Sequence, residues 1–224
     1  MTVSSRTRLG SRGKPEQSRA AILNAAVDEF AEHGIAGART DAIARAAHVN
    51  KALLYYYFKD KEAIYQAVLD HVFSGLRDTV VPRLEGDLPP GEKVLNYVGA
   101  YFDYIAANPR FPRVVQGEWI RSGAERAGQM KKVAQNYFRP IYQKLGEVLR
   151  AGIASGEFRP VDPMHFVPSM VAIIVFYFSA APVIKALMKI DPLSAEHIQQ
   201  RRTFVLDFIA HALFTQPPVP GDRV

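Results

Sequence analysis

TDAIARAAHVNKALLYYYFKDK, residues Thr40 to Lys61, holds two short apolar-periodic segments, Asp41 to Ala47 and Lys51 to Phe58, with only a few residues between them. That gap admits nothing longer than a tight turn between two helices, the pattern of a helix-turn-helix. Ile43, Ala44 and Ala47 fall on one face of the first segment, and the alanines are small enough for a second helix to cross closely. Val49 is placed to plug the turn. Leu54 and Phe58, four apart, give the second helix its buried side. Its outer surface is then Lys51, Ala52, Tyr55, Tyr56 and Tyr57. One cation, a small residue and three tyrosines suit a groove lined with phosphates and base edges.

Outward from this stretch, the chain of 224 residues is long enough to bury a sizeable core. Hydrophobic residues at 48% and charged residues at 22% are globular values, so wholesale disorder is excluded. The absence of cysteine excludes disulfides, thiolate catalysis and Cys-based zinc sites, and is compatible with a cytoplasmic protein. A net charge of +6 suits a polyanionic partner. Its placement is more telling than its size. Arg6, Arg8, Arg12, Lys14 and Arg19 crowd the first twenty residues against Glu16. Residues 1–14 read as a disordered basic arm, residues 15–59 as the helix-turn-helix domain, residues 60–214 as a second helical domain and residues 215–224 as a Pro-rich disordered tail.

The fold class expected is all-α, with about nine helices and no convincing strand. A first helix from Pro15 to His33 carries Ile22, Leu23, Ala26, Val27 and Phe30 on one stripe and stops at Gly34. Thr40 reads as the N-cap of the next helix. Asp60 reads as the N-cap of a fourth, running to about Val80, that leaves the motif for the rest of the protein. Further helices follow from about Pro90 to Ala107, Phe111 to Arg121 and Glu125 to Ser155, the last kinked by Pro140. Met164 to Ile184 is long enough to span a bilayer and lacks Lys, Arg, Asp and Glu. Pro168, Pro182, Ser169, Ser179 and His165 argue against spanning, so it reads as a buried helix, opened by Asp162 and bent or restarted near Pro182, with no membrane partner. Ser194 caps the last helix, which ends at Phe214.

No catalytic constellation is present: no Gly-rich phosphate loop, no H-E-x-x-H, no G-x-S-x-G. The six histidines are scattered, and neither a metal site nor a cofactor is expected. Glu118 and Arg121 beside Trp119 are an ordinary helix ion pair or the polar corner of a pocket. Aromatic residues of the second domain are core first. Several tyrosines together, whose hydroxyls need partners when buried, also point to a cavity with polar contents. The candidate lining is Tyr101, Phe102, Trp119, Tyr137, Tyr142, Phe166, Met170 and Phe176.

FAEHG, then T-x-x-I-A-x-x-A, then V-N-K-x-x-L-Y-x-Y-F-x-x-K-E-x-I, over roughly Glu16 to Leu69, resemble the TetR/AcrR family of bacterial transcriptional regulators. The string AGIASGEFRPVDP looks like the turn between the seventh and eighth helices of such proteins. The resemblance implies a ligand-responsive transcriptional regulator, most simply a repressor released from a palindromic operator by a small-molecule effector, and not an enzyme. It implies phosphate contacts from Thr40, Tyr55 and Lys61, and major-groove contacts from Lys51, Ala52, Leu53 and Tyr57. It also implies a homodimer formed through helices near 163–189 and 194–214. Two positions depart from the family pattern: the usual turn glycine is His48, and the small Gly early in the recognition helix is Ala52. A histidine adopts the left-handed conformation only at some cost. The rival reading is an all-helical small-molecule-binding protein or enzyme without DNA binding.

Overall fold

The computed structural model describes residues 15–217 apart from 122–130, and for 118–121 the backbone alone. The basic arm, the side chains of Glu118, Trp119 and Arg121, and the end of the Pro-rich tail lie outside the described residues. Ten α-helices occur among those that are described. They are α1 (Pro15–Gly37), α2 (Thr40–Ala46), α3 (Lys51–Tyr57), α4 (Lys61–Val80), α5 (Pro90–Ala107), α6 (Phe111–Arg121), α7 (Arg139–Ala154), α8 (Pro163–Ser179), α9 (Ala181–Met188) and α10 (Ala195–Leu213). The expected eighth helix is two, α8 and α9. Pro182 falls in the first turn of the second piece, where its missing N–H costs nothing, and the pieces meet at 61°. No single described helix is long and apolar enough to cross a membrane.

The chain divides into two compact units, Met1–His71 and Val72–Val224, and the division falls inside α4. In the first unit, Ile22, Leu23, Ala26 and Phe30 of α1 are buried with Ile64, Tyr65, Val68 and Leu69 of α4. Phe30 meets Tyr65 edge to face at 5.0 Å, and the Arg19 guanidinium lies 5.5 Å above the Phe58 ring. Gly34 takes φ 60, which breaks the helical run of α1 where the sequence places its stop. The N-cap assigned to Thr40 needs correction. Thr40 is the first residue of α2, Arg39 occupies the cap, and its amide donates instead to Glu29 Oε1 at 2.9 Å.

In the second unit Tyr97, Val98, Tyr101, Phe102 and Ile105 of α5 are buried. The Arg202 guanidinium of α10 grips Asp103 on α5 with two hydrogen bonds, 2.7 and 3.0 Å, and Gly99 leaves room for it. The kink expected at Pro140 is a π-turn at Ala134–Phe138, where the Arg139 amide donates to Ala134 O five residues back. Proline supplies no amide to keep the α ladder in register, and the preceding turn widens to absorb the defect. The predicted caps at Asp60, Asp162 and Ser194 accept from Ala63 N at 2.8 Å, Met164 N at 2.8 Å and His197 N at 3.4 Å. Thr215, assigned to the disordered tail, is in fact tied down: its amide donates to Glu157 O and its hydroxyl to Gly156 O, both at 3.0 Å.

His48 has φ 55. The turn keeps the left-handed geometry that glycine adopts freely, and the histidine backbone carries the cost, about 1–2 kcal/mol. His48→Gly removes that cost but adds unfolded-state freedom of about 0.5–1 kcal/mol. The net expectation is a gain of about 0.5–1 kcal/mol, read as a raised denaturant midpoint at unchanged slope.

Candidate nucleic-acid interface and effector cavity

Asn50 opens α3. Its Oδ1 accepts from Leu53 N at 2.7 Å while its backbone is extended, the arrangement of a capped helix start. With Leu54 and Phe58 buried, the opposite face is left to Lys51, Ala52, Tyr55 and Tyr56, all exposed, with Leu53 and Tyr57 half-buried at its flanks. Tyr56 and Tyr57 pack edge to face at 5.2 Å, so neighbouring rings brace one another.

Two polar contacts hold the motif. Thr40 Oγ1 and the Tyr55 phenol lie 3.2 Å apart, which places a hydroxyl of α2 beside one of α3 on the same surface. Lys51 Nζ sits 2.9 Å from Asp41 Oδ1. That hydrogen bond and its charge hold the Asp41 carboxyl below its ordinary range and the Lys51 ammonium above its own. The pair is solvent-exposed and weak, so an acceptor on a base edge can compete for the lysine. Lys61, at the start of α4, donates to Ala38 O at 3.2 Å and Ala36 O at 3.4 Å. It therefore clasps the loop before α2, a structural role that spacing alone did not reveal.

The second unit contains a cavity of about 500 Å³ walled by α4 to α8. Leu76 comes from α4, Tyr97 and Tyr101 from α5, Phe111, Val115 and Gln116 from α6, Phe138 from the π-turn, and Ile141 and Tyr142 from α7. The α8 wall runs from Val167 to Ser179 and includes Val171, Val175 and Phe176. Of the aromatic residues singled out from sequence, Tyr101, Tyr142 and Phe176 line it. Phe102 packs instead on Phe178 at 5.3 Å, Tyr137 stacks on Phe73 at 5.9 Å, Met170 is buried, and Phe166 is half-buried away from the cavity. Burial pushes the phenols of Tyr97 and Tyr101 well above the ordinary tyrosine range, so both stay neutral across physiological pH. The described lining therefore carries no formal charge. Tyr97, Phe111 and Phe138 are lining residues the sequence reading missed. All are apolar-face residues on helices, and only packing decides whether such a ring meets a neighbour or a void.

Large apolar side chains remain uncovered on α8, α9 and α10: Phe176 is 71% exposed, Leu187 78%, Met188 65%, Phe204 52% and Phe208 49%. Arg201 lies among them, its guanidinium 4.9 Å from the Tyr177 ring and 5.1 Å from Phe204, donating to Ile173 O at 2.8 Å. Its Nε is buried without a hydrogen-bond partner.

Residues 22–68 match the family model for bacterial regulatory proteins of the tetR family, and residues 90–209 match that of the tetracyclin repressor-like C-terminal domain. The HTH-type transcriptional repressor NicS of Pseudomonas putida is 26% identical over 205 residues, covering 88% of this chain and 93% of its own. The HTH-type transcriptional regulator RutR of Escherichia coli K12 is 27% identical over 171 residues, covering 75% and 76%. Among solved structures, the putative transcriptional regulator SCO4942 from Streptomyces coelicolor superposes with a TM-score of 0.65 at 27% identity, covering 90% of this chain and 99% of its own.

Proposed function

The chain belongs to the TetR family of bacterial transcriptional regulators, and from that premise we propose how its parts work. It is a ligand-responsive DNA-binding repressor, and its relatives are named as regulators and repressors rather than enzymes. Such regulators bind DNA operators and small-molecule effectors, generally as dimers. In our reading Lys51, Ala52, Leu53 and Tyr57 enter the major groove, and Thr40, Tyr55 and Lys61 take the flanking phosphates. The observation that carries this is the Asn50-capped α3, whose exposed face adjoins the Thr40 and Tyr55 hydroxyls. Dyad-related copies of α3 call for a palindromic operator. The site of action is then the cytoplasm, where that DNA lies.

The effector enters the cavity of the second unit. Leu76, in its wall, and Lys61 both belong to α4. A ligand that displaces α4 at Leu76 changes the separation of the two recognition helices, and both half-sites can no longer be engaged together. Effector and operator weaken each other by the same factor.

The test is selection of a palindrome from random DNA, followed by titration at several salt concentrations. Lys61→Gln keeps a donor for the loop carbonyls but removes the charge. It should flatten the salt slope by about two for a dimer, one unit per motif, with base preference unchanged. Tyr55→Phe removes a neutral contact and should weaken binding with the slope intact. Altered base preference with an unchanged slope for Lys61→Gln refutes the phosphate assignment.

A further inference from the structure

Tyr56 is the one residue on the outer face of α3 with no part in the groove and phosphate contacts assigned above. It is also the most exposed large hydrophobic side chain among the described residues, at 79% against 42% for its neighbour Tyr55. Core packing does not hold this ring, yet it is braced. Tyr57, itself half-buried, meets it edge to face, with centroids 5.2 Å apart and planes at 80°. Ala52 lies one turn earlier on the same stripe of the helix, and a helical side chain leans back over the turn before its own. Beneath Tyr56 there is therefore only a methyl group. Ring and methyl make a small apolar step on a face that otherwise carries the Lys51 ammonium and the paired hydroxyls of Thr40 and Tyr55.

The major groove offers one apolar group to such a step, the C5-methyl of thymine, which apolar side chains read by contact. We propose that Tyr56, with Ala52 beneath it, reads a thymine 5-methyl in each operator half-site and so sets specificity at that base pair. This rests on the reading of α3 as the helix that enters the major groove. The ring is the recognition element and the phenol is not: the phenol placed for a phosphate is that of Tyr55, beside Thr40, and Tyr56 leaves the helix about 100° round from it. A braced ring also has little rotamer freedom left to lose on contact.

The test uses the full-length protein and the palindrome selected from random DNA. Deoxyuridine replaces thymidine at one symmetry-related pair of positions at a time, which deletes the 5-methyl and keeps every hydrogen-bonding group of the base. At one such pair the loss should weaken binding by about tenfold, the worth of burying one methyl in each half-site. Tyr56→Ala should weaken the thymine operator by at least about that factor and bring the thymine and deoxyuridine operators within about twofold of each other. Its salt slope should not change, because no charge is removed. Tyr56→Phe should bind like the parent protein and keep the discrimination. Thermal melting checks that both variants are folded, and the deoxyuridine scan of the parent protein does not depend on them. Equal weakening of both operators by Tyr56→Ala overturns the methyl contact. So does a Tyr56→Phe variant as impaired as Tyr56→Ala, or a half-site in which no thymine responds to loss of its methyl. In each of these cases the operator is still bound and α3 stands as the reading helix. If no palindrome is selected at all, the contact falls together with that reading.

Discussion

Phe208→Asp should convert the protein to a monomer and lower its affinity for the full palindrome by roughly 10²–10⁴-fold. The size of the effect comes from bivalency. In the dimer proposed above a single α3 would bind one half-site, and joining two would make the second contact intramolecular, so breaking the dimer should forfeit that gain with no change at the DNA surface. Phe208 is 49% exposed and stacks at 6.0 Å on Phe204, itself 52% exposed, on the outer face of α10. Phe176 of α8 and Val183, Leu187 and Met188 of α9 are exposed as well, more large apolar side chains than monomers usually leave open. Arg201 in the same region has a buried Nε without a partner, and an arginine held between aromatic rings is typical of the centre of an interface. In the proposed dimer two-fold symmetry would place each substituted residue in the interface twice, so two carboxylates would be desolvated there. Sedimentation velocity reads the assembly state. Titration against full and half operators separates the effects: the full site should weaken to the level of the half-site, and the half-site should not move. If Phe208→Asp stays dimeric, the interface lies elsewhere on the molecule.

The helix-turn-helix was legible because its signals are short-range. A cap accepts within three residues, and Leu54 and Phe58 find one side of α3 by periodicity alone. Asp60, Asp162 and Ser194 cap as the local pattern requires for the same reason. Thr40 fails as a cap because its chemistry is not local: its hydroxyl pairs with Tyr55, fifteen residues on. Lys61 was readable as a cation near the motif but not as the clasp on Ala36 and Ala38, which depends on where the loop before α2 passes. The cavity was legible only in kind. Several tyrosines in one helical unit pointed to a cavity with polar contents, whereas its described lining is mostly apolar; Tyr101 and Phe102 are neighbours on α5, and only the first lines the void. His48 was flagged as a misfit at a glycine position, and its φ of 55 shows that the turn geometry prevailed over the side chain's preference.

Gly152→Ala should destabilise the second unit by about 2–3 kcal/mol, although alanine is the better helix former by about 1 kcal/mol. Gly152 lies near the end of α7, in the string AGIASGEFRP, and a Cβ there would stand 2.1 Å from the Phe158 ring. That ring cannot step aside. It is 2% exposed and packs edge to face on Phe214 at 5.1 Å. Its own amide donates to Gly152 O at 2.9 Å, and the next amide, of Arg159, donates to Leu213 O at 2.9 Å. The Arg159 guanidinium further holds His211 O and Ala212 O. The segment after α7 is thus stitched to the end of α10, and relief of the clash must move both. At Gly146, on the same helix, an added Cβ would meet only an Arg150 side-chain nitrogen, 3.5 Å away, so Gly146→Ala makes ordinary contact and should gain up to about 1 kcal/mol from helix propensity. The opposite signs at two glycines of one helix isolate the steric term from propensity. Calorimetry should show a fall of about 5–10 °C for Gly152→Ala and a small rise for Gly146→Ala. A Phe158→Leu substitution, destabilising alone, should be less so when combined with Gly152→Ala, because the smaller side chain vacates the space that the new methyl needs. Strict additivity of the two would show that the ring is not the obstacle.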